Sequence, residues 1–364
     1  MLTDDLARAE IPTSLQLLQR VIDVVDSAAL VGGATSTPWL YFYEHFLSAY
    51  DPDLRRDAGV YYTPVEVVRA QVRLVDEILT TRMARRLGFA EENVVTLDLA
   101  SGTGTYLLGV IDHALARVEE VEGAGAVPAR ATHLAENLHG FELMVGPYAV
   151  SELRVTQELA ARGATMPADG PHVYLTDTLE SPTATPRTAP LFYEPIAQEH
   201  ARAMQVKESV PVLVCLGNPP YDRHGATHEE GQTRAGGWVR YGDGQETPIL
   251  DTFVAPVRAA GRGVHLKNLY NLYVYFWRWA LWKVFEHGTA TGPGVISLIT
   301  AASFSEGPGF AGMREHMRRL CDELWVIDLG GESRGTRQSE NVFSILTPVA
   351  VTVAVRYGVG NLDD

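Results

Sequence analysis

The run Gly217-Asn218-Pro219-Pro220-Tyr221 directly follows an apolar stretch, Val210 to Leu216, that reads as a buried strand. Two consecutive prolines at a strand end fix the backbone and remove two hydrogen-bond donors. What remains is a rigid cluster of acceptors, the Asn218 side-chain oxygen and the Pro219 carbonyl, with the Tyr221 ring beside them. Such a cluster suits a planar amino group attached to a flat ring. The acceptors draw the amino hydrogens out of the ring plane and free the nitrogen lone pair. The aromatic ring stacks on the substrate, an interaction worth roughly 1–3 kcal/mol for a base. An ordinary proline-rich turn is the competing reading.

Three earlier strand ends carry residues of a kind that hold a nucleoside. Leu97-Asp98-Leu99-Ala100-Ser101-Gly102-Thr103-Gly104 is a glycine-rich turn in which the backbone can approach a ligand closely. Position 107 is leucine, so the third glycine of the dinucleotide pattern is missing and a nicotinamide cofactor is disfavoured. Gly140-Phe141-Glu142 ends the next predicted strand with an acid that can take ribose hydroxyls. It lies 44 residues past Asp98, and the Gly/Pro-bearing segment Glu122 to Arg130 is expected to supply the extra length. Thr176-Asp177-Thr178-Leu179 follows the third predicted strand, and an acceptor there could bind an exocyclic adenine amine or simply cap a helix.

The elements that must position these residues alternate strand and helix. Predicted strands are Val94–Leu99, Leu138–Leu143, Val173–Thr176, Val210–Leu216, Gly294–Ile299, Leu324–Leu329 and Val349–Val355. Predicted helices include Val65–Leu79, Tyr106–Val121, a segment ending near Ala161, the aromatic run Tyr270–Trp282 and Phe310–Cys321. Alternation of this kind implies a doubly wound, mostly parallel α/β sheet, in which ligands bind at the carboxyl ends of the strands. Residues 1–56 read as a short helical segment, and 57–364 as the catalytic core. Asp222 to Gly263 is Gly-rich with little periodicity and reads as a long loop.

Composition narrows the function further. The chain has 364 residues, is 46% hydrophobic and carries a formal net charge of −15. An acidic protein binds a polyanion only through a local basic patch, and Arg314, Arg318 and Arg319 on one predicted helix are candidates. The three lysines, Lys207, Lys267 and Lys283, all lie outside a phosphate loop and an acidic-x-Lys nuclease motif, which excludes a P-loop motor. Two cysteines make no disulfide framework, and no metal-ligand spacing links the histidines, so a metal-free, cytoplasmic protein without a membrane span is expected. Gly331-Glu332-Ser333-Arg334-Gly335 matches a serine-hydrolase elbow, but no helix is predicted after the serine.

With Tyr61-Tyr62-Thr63-Pro64 ahead of these elements, the sequence resembles the S-adenosylmethionine-dependent adenine-N6 DNA methyltransferases of the gamma order. It is most similar to the methylase part of single-chain type I-like (type ISP and IIG) restriction-modification enzymes. Asn268-Leu-Tyr-Asn-Leu-Tyr273, Ser303-Phe304, Ile327-Asp-Leu-Gly-Gly331 and Glu340-Asn-Val-Phe343 carry that closer likeness, which runs from about residue 58 to 355. The resemblance implies a Rossmann-like methyltransferase sheet. It implies that Tyr62 and Thr63, with Asp98, Ala100, Gly102 and Gly104, hold the methionine end of S-adenosyl-L-methionine. Glu142 would take the ribose, and Asp177 and Leu179 would flank the cofactor adenine. Asn218, Pro219, Pro220 and Tyr221 would form the catalytic element. The implied reaction is direct methyl transfer to N6 of an adenine flipped out of double-stranded DNA, in restriction-modification or phage defence.

No recognition, helicase or nuclease domain is expected in the chain. A methylase core that needs a separate recognition or restriction subunit is therefore the alternative. Methylation of a release-factor glutamine or of ribosomal RNA, which also uses N-P-P-Y, ranks below both.

Overall fold

A computed structural model describes residues 63–184, 194–220, 236–244, 247–288, 292–331, 343 and 347–358. The chain divides into two units, Met1–Leu54 and Arg55–Asp364, and the described residues belong to the second. The helical reading of the N-terminal segment therefore lies outside the described residues. So do Tyr62, Tyr221 and Ser333.

Helix α1 (Val65–Thr81) is followed by β1 (Thr96–Asp98), α2 (Thr105–Glu122), α3 (Val127–Asn137), β2 (Leu138–Glu142), α4 (Val145–Ala161) and β3 (Val173–Leu175). The second half holds α5 (Glu194–Glu208), β4 (Val214–Gly217), α6 (Gly237–Tyr241), α7 (Asp251–Ala259), α8 (Leu272–Leu281), β5 (Gly294–Ala301), α9 (Ala311–Leu320), β6 (Glu323–Asp328) and β7 (Val349–Arg356). The strands form one sheet in the order β3-β2-β1-β4-β5-β7-β6. Pairs β1–β2, β1–β4, β2–β3 and β4–β5 are parallel, and β7 runs antiparallel to both β5 and β6. Strand order reverses between β1 and β4, so the carboxyl ends of these two strands open a crevice for a ligand.

Both sheet faces are covered, which is why β5 and β7 are apolar without alternation and buried along their full length. One face packs on α1, α2, α3 and α4 through residues such as Val72, Val110, Leu134 and Val155. The other packs on α5 to α9 through Ala203, Val239, Phe253, Trp277 and Met313. Among the described residues no helix is long and apolar enough to cross a membrane.

Two expectations need correction. The extra length before Glu142 is mainly a helix, α3, entered through a short turn at Ala124–Ala126, with Pro128 in its first turn where a missing N–H costs little. The expected loop from Asp222 to Gly263 holds α6 and α7. Leu250, Phe253, Val254 and Val257 recur at helical spacing and are buried.

Helix α8 is the core helix its aromatic residues predict, and Arg278 in its middle is only 3% exposed. Its guanidinium donates to the Ile249 carbonyl at 2.8 Å and to Glu286, which also meets His316 at 3.0 Å. Burial pushes the Glu286 carboxyl up, but the His316 hydrogen bond and the Arg278 charge outweigh it and leave the group below its ordinary 4.5. That contribution to stability is present above pH 4.5 and is lost as pH falls below it. Arg278→Met is expected to cost about 1–3 kcal/mol, because it deprives the half-buried Glu286 carboxylate and the Ile249 carbonyl of a charged donor. Urea unfolding at neutral pH measures this, and a loss under 1 kcal/mol would show the pair to be dispensable.

Candidate active site

The ends of β1 and β4 meet at Asp98 and Gly217. Asp98 is fully buried, and its Oδ1 accepts the Ala100 N–H at 3.2 Å. Gly217 has φ +147°, and any side chain there would strike Asp98 Oδ1 at 2.6 Å, so this position requires glycine. Asp98 Oδ2 has no hydrogen-bond partner among the described residues. Burial pushes the carboxyl up to about 8; the Ala100 N–H opposes this and the nearby Glu142 charge adds to it.

Next to Gly217, Asn218 Nδ2 donates to Thr63 Oγ1 at 3.0 Å, joining two segments 155 residues apart. The Asn218 amide is thereby oriented, and its Oδ1 is a buried acceptor with no described partner. Thr63 stands immediately before Pro64, which caps α1. That helix is fixed in turn by Gln71, whose Nε2 donates to the Ser297 carbonyl on β5 at 2.7 Å and whose Oε1 accepts from Tyr106 on α2 at 2.9 Å.

The glycine-rich turn is laced to the neighbouring strand ends. Ser101 N–H donates to the Phe141 carbonyl at 2.8 Å, and Gly104 caps α2. Glu142 Oε2 accepts the Gly102 N–H at 2.9 Å, and Oε1 accepts the Met144 N–H at 2.8 Å. Each oxygen keeps a lone pair for a hydroxyl. Burial raises this carboxyl, and the three backbone donors of Met144, Gly102 and Leu143 oppose it. In the β3 loop, Asp177 Oδ1 accepts the Leu179 N–H at 2.9 Å, and Thr178 Oγ1 donates to the Leu99 carbonyl at 2.7 Å. Burial raises the Asp177 carboxyl, opposed by the Leu179 N–H and by Lys207. The Leu179 side chain is itself buried in the core, and its carbonyl accepts the Trp238 N–H of α6 at 2.9 Å.

Thr63, Asp98, Ala100, Gly102, Gly104, Glu142, Asp177, Asn218, Pro219 and Pro220 thus share the carboxyl edge of the sheet. Tyr62 and Tyr221 lie outside the described residues.

Two contributors escaped the sequence reading. Leu143 and Val145, just after Glu142, are 67% and 63% exposed and put apolar surface at this edge. The second is Lys207 on α5, which is fully buried. Its Nζ donates to the Asp177 carbonyl at 2.5 Å and to Thr176 Oγ1 at 3.1 Å, holding the β3 loop from beneath. Burial pushes its ammonium down to about 8, opposed by Glu180 and Asp177. The last turn of α5 is held in turn by Lys283, whose Nζ donates to the Lys207 carbonyl at 2.7 Å, and by His287 at the Glu208 carbonyl. A separate cavity of about 530 Å³, lined by Val95, Leu213, Lys283 and Pro293, lies at the opposite, amino edge, away from the predicted site.

A sheet of this order, with β7 reversed and an acidic residue closing each of β1 and β2, defines a Rossmann-like methyltransferase. The chain belongs to the N-6 DNA methylase family, whose model matches residues 41–243. Three solved structures share the fold. The ATP-dependent type ISP restriction-modification enzyme LlaBIII bound to DNA is 24% identical, with TM-score 0.63 over 83% of this chain and 20% of that one. The DrdV–DNA complex is 26% identical, with TM-score 0.63 over 86% of this chain and 28% of that one. A nuclease-deletion mutant of the type ISP enzyme LlaGI, in complex with a DNA substrate mimic, is 21% identical, with TM-score 0.66 over 86% and 24%. The chain therefore spans less than a third of each of these proteins. No curated protein matches it.

Proposed function

We propose that the chain methylates N6 of an adenine extruded from duplex DNA, using S-adenosylmethionine, as the modification activity of a restriction-modification system. The observation that carries this reading is the Asn218 amide. Its nitrogen is engaged by Thr63 and its buried oxygen is left free, beside an equally unsatisfied Asp98 oxygen at the strand switch point. Unpaired buried polar atoms are uncommon and call for a partner.

The residues fit the cofactor. A carboxylate oxygen without a donor suits an ammonium, Glu142 keeps acceptor capacity for two hydroxyls, and nothing lies within 4 Å of the space a Gly102 side chain would fill. Asp98 would hold the amino acid end and Glu142 the ribose. Asp177 and the apolar pair Leu143 and Val145 would bound the base. When bound, the cofactor supplies an electrophilic methyl group on a sulfonium that departs as a neutral thioether.

Asn218 Oδ1 and the Pro219 carbonyl would accept the two amino hydrogens of the target adenine. The N6 lone pair is then withdrawn from the ring and available for attack, and the surplus proton leaves from N6. A base inside a duplex cannot reach such a crevice, so the reaction requires flipping, at a cost of a few kcal/mol in lost pairing and stacking.

Calorimetric titration with S-adenosylmethionine, followed by incubation with labelled cofactor and mixed-sequence duplex, tests the reading. Stoichiometric binding and label on adenine N6 are expected. Failure to bind the cofactor would overturn it. A second reading is a core that transfers only beside a partner's recognition surface. Cofactor binding without transfer would select it.

A further inference from the structure

Between Thr252 and Phe285 the sequence contains no aspartate or glutamate, although the whole chain carries a net charge of −15. The lysines and arginines of this run are of two kinds. Arg278 and Lys283 are buried and engaged inside the protein. Arg258, Arg262 and Lys267 are exposed, and none forms an ion pair with another described residue.

These three cations belong to the same edge as Asn218. The turn Gly263–Asn268 packs against the turn Pro308–Phe310 that follows β5, so closely that a side chain at Gly309 would meet the His265 carbonyl at 2.4 Å. Tyr273, at the start of α8, lies 3.1 Å from Ser303, just past the end of β5. Arg240 of α6 stacks 4.2 Å from the Tyr270 ring centroid, and α6 is fastened to the β3 loop at Leu179. The exposed acid on the neighbouring turn is Glu306. The arginine helix picked out in the sequence is a weaker candidate. Arg314 is spent on the Phe304 and Gly307 carbonyls, and Arg319 pairs with Glu315.

We propose that Arg258, Arg262 and Lys267 form a phosphate-contacting patch that seats the backbone of duplex DNA beside the target-base crevice. The inference rests on the DNA-methylase reading above. Exposed cations outside ion pairs lose little on meeting a phosphate and release its counterions, so their contribution falls steeply with salt. They fix register and orientation and carry no base sequence information.

The test is fluorescence anisotropy of a labelled mixed-sequence duplex with the full chain across a salt series. The wild type, R258Q/R262Q/K267Q and R318Q/R319Q are compared. The triple variant is expected to bind at least tenfold more weakly at low salt, with its log K against log salt slope reduced by about 2.7. The double variant should match the wild type. S-adenosylmethionine titration of all three verifies that each is folded. A triple variant with wild-type affinity and slope overturns the patch while leaving the methylase reading intact, as does a loss confined to the double variant. A wild type that binds cofactor but no duplex overturns DNA as this chain's own ligand, and the patch with it.

Discussion

Asn218→Ala should reduce single-turnover methyl transfer to duplex adenine by at least about a hundredfold, the cost of deleting one well-placed hydrogen-bonding group at a reacting centre. Cofactor affinity should stay within about threefold, a change of less than 1 kcal/mol. The division follows from the geometry. Asn218 reaches Thr63 with its amide nitrogen and leaves its buried oxygen without a described partner. The groups assigned to the cofactor are instead held by the β1, β2 and β3 ends. Labelled-cofactor transfer and calorimetry on the same preparation measure both quantities. Parallel loss of binding and transfer would mean that the two subsites are not separable and would sink the assignment of Asn218 to the target amine.

Asp98→Asn carries the second large effect, on binding. In the chain alone, burial holds the Asp98 carboxyl protonated up to about pH 8, whereas in an unfolded chain it ionises near 3.8. The folded state therefore binds the extra proton in this window, and stability from this group falls as pH rises from about 4 to about 8. A cofactor ammonium against the unpaired oxygen favours the carboxylate instead. Binding at pH 7 should release a proton, and affinity should climb with pH until it levels near 8. The asparagine variant should bind S-adenosylmethionine at least about thirtyfold more weakly and without proton release, because one member of a buried charge pair is gone. Calorimetry in two buffers of different ionisation enthalpy reads the proton directly. A wild type that exchanges no proton, together with an asparagine variant of equal affinity, would remove Asp98 from the cofactor site.

Most strands were legible because a sheet buried on both faces needs short continuous apolar runs, as at Val214–Gly217 and Gly294–Ala301, while the edge strand β6 is partly exposed. The candidate site residues could be proposed because they sit at the ends of those runs. What escaped is equally physical. Pro256 and the surrounding glycines mask α7, although Leu250, Phe253, Val254 and Val257 mark its buried face. The helix α3 was hidden by Gly123 and Pro128, read as loop residues although they stand at its entrance. Lys207 and Lys283 gave no local signal at all. A lysine is ordinarily a surface residue, and only the tertiary structure brings their ammonium groups to backbone carbonyls. Leu143 was passed over because an exposed leucine after a strand has no periodic signature.

The strand order also sets a sequence of assembly. Strands β1, β2 and β3 pair with their neighbours in chain order, so the half bearing Asp98, Glu142 and Asp177 can close early on the emerging chain. Its open flank is β1, whose other partner, β4, arrives only with Val214–Gly217. Until then β1 presents unpaired backbone groups, the kind of edge that invites wrong partners. Gln71 waits longer still, for a carbonyl 226 residues downstream. Non-local closures of this length are slow. The nascent chain therefore passes through a stage in which the half bearing Asp98, Glu142 and Asp177 is formed and the half bearing Asn218 is not, and chaperones have most to protect at that stage.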